Sequence, residues 1–169
     1  AAKYAEDGVN NTTLAAIDLV EMPSVTNALA ELASVLTNDL AVHTPIIGDG
    51  RRGTTAFASS LGQIAAQFGA IDFGRFAAIL SPLSPDPILR AAAQDAIVAI
   101  ENAVIASSSG SDVAHAEGIA LYFPRTAADY NADYDMVSVS AEWSQFLTSY
   151  QSLNVTAPAI EITTSPGEN

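Results

Sequence analysis

The chain has 169 residues, 49% of them hydrophobic and only 15% charged, which is the size and composition of one folded domain and argues against a disordered polymer. Nineteen acidic residues against six basic ones give a net charge of −13, so the surface repels nucleic acid and anionic lipid. No apolar run reaches the roughly 18 to 20 residues of a membrane span, and with no cysteine disulfides, thiolate metal ligands and a cysteine nucleophile are excluded within these residues.

Ala1 to Asp7 read like a helix already under way, as in a piece of a longer chain. Asn10-Asn11-Thr12-Thr13 is a turn, and Leu14 to Val20 is a short apolar run expected as a strand covered on both faces. Pro23 suits a first helical turn. Val25, Leu29, Leu32 and Leu36 then fall on one face of a helix reaching about Leu40. Residues 41–53 hold a proline, three glycines and the pair Arg51-Arg52, and are expected to form a loop open to proteolytic nicking.

A helix is expected from Thr54 to Phe68, with Phe57, Leu61, Ile64 and Phe68 as its stripe, and stops at Gly69. Asp72 is expected to cap a shorter helix bearing Phe73, Phe76 and Leu80, ended by Pro82, Pro85 and Pro87. Asp86 and Pro87 start the clearest helix, with Leu89, Ala93, Ile97, Ile100 and Val104 at core spacing, and Ser107 to Gly110 finish it. Ile119 to Phe123 is the second expected strand, stopped by Pro124, and Ala127 to Met136 an acidic, tyrosine-bearing loop. Ser140 caps a last helix in which Trp143, Phe146, Leu147 and Tyr150 share one face, so the single tryptophan is expected in the core. Residues 154–169 are rich in threonine, serine and proline and read as a linker or tail, which leaves residues 1–153 as the domain.

The chemistry-bearing residues are sparse. His43 and His115 lack any metal-ligand spacing such as H-E-x-x-H, and each reads as a solvated loop residue. No G-x-S-x-G nucleophile elbow occurs. Asp129, Asp133 and Asp135 could offer oxygens to a hard cation, without the glycine and terminal glutamate of an EF-hand loop; the competing reading is a solvated acidic loop with Tyr130 and Tyr134 packed inward. Asp18 is a charge inside an apolar strand, either facing a substrate pocket or accepting loop N–H groups as a structural carboxylate. No cofactor is required by these patterns.

Four ordered segments, LAAIDLVEMPSVTNALAELASVL, FGAIDFGRFAAIL, EGIALYFPRTAADYNADY and AEWSQFLTSY, resemble the C-terminal part of clostripain-like cysteine peptidases. The likeness spans residues 12–152, with Ala15 and Ala120 standing where serine is common. It implies an α/β fold, the helix-rich C-terminal part of a caspase-like sandwich. It also implies a secreted or cell-surface endopeptidase that cleaves peptides after arginine or lysine, with calcium dependence in some members.

The family's cysteine and histidine dyad lies upstream of the segment matched by Leu14 to Leu19, and neither His43 nor His115 inherits it. The resemblance therefore implies an upstream catalytic portion as partner, with peptide or protein substrates shared by the whole. In the intact protein the two expected strands would join a mostly parallel sheet, since alone they cannot cover their faces or edges. Arg51 and Arg52 would then suit self-cleavage, against the plainer reading of a loop arginine pair. The alternative to a peptidase portion is a non-catalytic binding or structural module of a larger surface protein, which the Ser/Thr/Pro-rich tail favours.

Overall fold

A computed structural model describes residues 13–54, 69–110, 116–138 and 140–156. Strand β1 (Thr13–Ile17) leads into helix α1 (Met22–Asn38), and α2 (Leu40–Gly53) follows after a single residue. Next come β2 (Ala70–Asp72), α3 (Phe73–Leu83), α4 (Pro87–Ala103) and β3 (Val104–Ser109). The chain closes with β4 (Ala120–Tyr122), a 3-10 turn (Ala127–Asp129), the short α5 (Tyr134–Val137) and α6 (Ala141–Thr156). The result is a helix-rich α/β fold, as expected. No helix among the described residues is long and apolar enough to cross a membrane.

The helices form where spacing and caps dictate. In α1 the residues Val25, Leu29, Leu32 and Leu36 are all buried, and each such side chain contributes roughly 1.5 to 3 kcal/mol of burial. In α4 the Asp86 carboxylate accepts the Ile88 N–H at 2.8 Å, with Pro87 supplying a preset first turn. Its buried face carries Ala92, Ala93, Ala96, Ala99 and Ala103 beside Leu89 and Ile100, and the small side chains let α1 and α3 pack close. Ser140 caps α6 through the Trp143 N–H at 3.1 Å. That helix runs to Thr156, past the point at which the tail was expected to start.

Trp143 sits at the centre of an aromatic cluster with Phe76, Phe123 and Phe146, edge-on to the first two. Around the exit of β4 three consecutive carbonyls are each met by a side chain. Trp143 Nε1 donates to Tyr122 O at 2.8 Å, Arg51 Nε to Phe123 O at 2.9 Å and Gln151 Nε2 to Pro124 O at 3.2 Å. Backbone acceptors leaving a strand need partners when buried, and here α2 and α6 provide them.

Several expectations are corrected. Residues 41–53 are helical: His43, Ile47 and Gly50 fall at i, i+4 and i+7 and are buried, a helical stripe hidden by its glycines and by Pro45. Gly50 is there because α3 approaches closely; a Cβ would lie 2.9 Å from the Phe76 ring. Ser107 to Ser109 do not end a helix but belong to β3, which pairs antiparallel with β1 from Thr13↔Ser109 to Ile17↔Val104.

β1 is shorter than expected and largely exposed rather than covered on both faces, with Leu14 51% and the neighbouring Ile105 70% exposed. β2 pairs antiparallel with β4, Ile71 opposite Leu121. The two expected strands stand in separate two-stranded antiparallel ladders among the described residues. The acidic loop at 127–136 contains the 3-10 turn and the start of α5. The helix expected from Thr54 to Phe68 lies outside the described residues apart from Thr54, which ends α2 in extended conformation.

Candidate functional site

The β2–β4 ladder lies beside α1 and leaves a groove between them. Met22, Val25, Leu29, Phe73, Leu121 and Tyr122 help line a cavity of about 410 Å³, and Tyr134 packs on Tyr122 with ring centroids 4.4 Å apart. Apolar walls of this kind bind by exclusion of water. The hydroxyls of Thr26, Tyr122 and Tyr134 are polar groups of this lining, and those of Thr26 and Tyr122 donate to the backbone carbonyls of Met22 and Asp129.

The polar chemistry lies at the end of β2. Asp72 is fully buried, and its carboxylate accepts three backbone N–H groups: Arg75 at 2.8 Å on Oδ1, and Glu117 at 2.7 Å and Gly118 at 3.2 Å on Oδ2. The first bond caps α3. The other two tie residues 117–118 to the same helix end. Gly118 has φ +113°, and a Cβ there would lie 2.5 Å from the Cβ of Ala15, so the same segment also touches β1.

The Glu117 carboxylate rests on Gly74 in the first turn of α3, where any Cβ would collide with it. Burial, and then the Asp72 carboxylate, push its pKa above the ordinary range. Glu117 can therefore hold a proton that an ordinary glutamate releases. Asp72 has its oxygens committed to backbone donors and serves as a structural tie.

The residues singled out from sequence are not brought together. Asp18 follows β1 in a turn: its N–H donates to Ala103 O at 2.8 Å and its Oδ1 accepts the Val20 N–H at 2.9 Å. It is not among the residues lining the groove. Asp129 accepts from the Thr126 hydroxyl at 2.8 Å, Asp135 accepts from the Tyr130 hydroxyl, and Asp133 is exposed at the start of α5. No three His, Cys, Asp or Glu side chains among the described residues form a group that could hold a metal ion. Burial, followed by the bond to Asp135, pushes the Tyr130 phenol up to about 12.

Arg51 and Arg52 lie in the last turn of α2 rather than in an open loop. Arg51 is fastened to Phe123 O and its guanidinium lies 5.7 Å from the Phe123 ring centroid, while Arg52 pairs with Asp49. Cleavage there would require α2 to unwind first.

Sequence reasoning missed His43. It is buried, not a solvated loop residue, with Nε2 3.3 Å from Asp86 Oδ2 and Nδ1 without a partner. The pair ties α2 to the cap of α4. The spacing of His43, Ile47 and Gly50 could have exposed the burial of His43, though not its partner. His115 lies outside the described residues. Comparison of the chain with known protein families, with curated proteins and with solved structures finds no match in any of the three.

Proposed function

We propose that this chain is the fold-completing portion of a clostripain-like cysteine endopeptidase, acting at the cell surface or outside the cell, with the catalytic dyad on a companion polypeptide segment. The observation that carries the reading is the β1–β3 ladder. A two-stranded ladder by itself is at best marginally stable in water, yet here it carries Leu14 at 51% and Ile105 at 70% exposure, continued by Leu19 at 77% and Val20 at 81%. A larger sheet laid against it would cover these side chains and occupy its open edges. The ordered four-segment resemblance names the kind of sheet.

The chain holds no cysteine, so a cysteine nucleophile has to come from the companion. The test is a peptidase assay with fluorogenic peptides ending in arginine, lysine or alanine. The chain alone is expected to be inactive, and its complex with the companion active on the basic peptides and blocked by iodoacetamide. A complex without iodoacetamide-sensitive cleavage would refute the peptidase reading and leave a non-catalytic structural module.

A further inference from the structure

Only six lysines and arginines occur in the whole chain, and three of them, Arg51, Arg52 and Arg125, line one cleft of about 380 Å³ with Gly48, Thr54 and Tyr150. Half of the positive charge of a protein with net charge −13 converges on one place. Arg52 is neutralised by Asp49. The other two are not paired with any carboxylate among the described residues. Arg51 spends Nε on Phe123 O and keeps its terminal nitrogens. Exposed Arg125 makes no hydrogen bond or ion pair among the described residues.

Packing alone accounts for half of this. The bond to Phe123 and the ring contact explain why Arg51 lies where it does, but nothing in the fold requires a second guanidinium beside it. Burial and then Arg125 both lower the Arg51 pKa, which is the mark of two like charges held near each other. Tyr150 and then Asp129 act in the opposite sense on Arg51, and the Asp129 carboxylate already accepts from Thr126. Thr54 uses its hydroxyl hydrogen on Arg51 O. The Tyr150 phenol stands at the wall of the cleft as a further hydrogen-bonding group.

We infer that this cleft binds a dianionic oxyanion of the phosphate class. Two guanidinium groups without an ion pair among the described residues match two negative charges, and guanidinium forks match tetrahedral oxyanion geometry. The site is independent of the peptidase reading, since it needs no companion segment.

The test is isothermal titration of inorganic phosphate, sulfate and acetate into the protein at pH 8, with ionic strength held constant by sodium chloride. Phosphate and sulfate are expected to give a saturable single-site isotherm, and acetate none. Arg125→Gln, at an exposed position with no hydrogen bond or ion pair among the described residues, is expected to weaken phosphate binding about tenfold, as for loss of one charge-assisted bond. Arg51→Gln should weaken it further, with circular dichroism verifying the fold because that side chain also packs. Absence of a saturable isotherm, acetate binding equal to phosphate, or an unchanged affinity in Arg125→Gln would each overturn the assignment.

Discussion

Replacing Asp72 with alanine tests how the end of β2 holds the fold together. The carboxylate is fully buried and accepts three backbone N–H groups, from Arg75, Glu117 and Gly118. Loss of the helix cap costs about 1 kcal/mol. The N–H groups of Glu117 and Gly118 then lose their acceptor as well, at about 1 kcal/mol each because both residues are partly exposed and water can reach them.

A total near 3 kcal/mol is a large share of the roughly 5 to 15 kcal/mol that stabilises a domain. It would lower the midpoint of thermal unfolding by about 6 to 12 °C for a chain of this size. Urea unfolding followed by circular dichroism measures it, with the slope unchanged if only the native state is affected. Asp72→Asn keeps one acceptor oxygen and should lose less. A loss below about 0.5 kcal/mol in Asp72→Ala, the level of an ordinary surface change, would refute the assignment of Asp72 as a structural tie.

Three further outcomes follow from the same packing. Trp143→Ala removes the centre of the aromatic cluster and the donor to Tyr122 O, and should destabilise by about 3 to 5 kcal/mol in urea. Gly50→Ala drives a methyl into the Phe76 ring and should cost about 1 to 3 kcal/mol; a neutral result would mean that α2 and α3 separate easily. Glu117 has a raised pKa, so its proton is bound more tightly in the folded chain than in the unfolded one. Its contribution favours the fold at pH below the unfolded value and is lost as pH rises through the folded value. Glu117→Gln should therefore gain stability over wild type at pH 7 and little at pH 4, read from urea midpoints at both pH values, whereas equal differences would dismiss the effect.

The helices with unbroken apolar spacing and polar caps were legible, because Val25 to Leu36, Leu89 to Ile100 and Trp143 to Tyr150 repeat at the helical period. The stretch 41–53 was not, since glycine and proline signal a break on their own. In the fold Gly50 answers to a close helix approach instead. β3 was unreadable for the opposite reason: its serines face outward in a ladder with no buried face to impose alternation.

Asp18 carried the appearance of a pocket residue because it lies inside the apolar run Leu14 to Val20, whereas the strand ends at Ile17, one residue before it. The arginine cleft and the His43–Asp86 pair join groups far apart in sequence. Neither leaves a local pattern to read.

The measurement that bears most directly on the central claim is native mass spectrometry of the protein isolated from its source, beside its denatured mass. The expected result is a native mass above 17.5 kDa in which this chain is joined, covalently or as a complex that resolves on denaturation, to a companion segment carrying cysteine and histidine. A native mass of 17.5 kDa, or a simple multiple of it, would contradict the claim that another polypeptide completes the sheet.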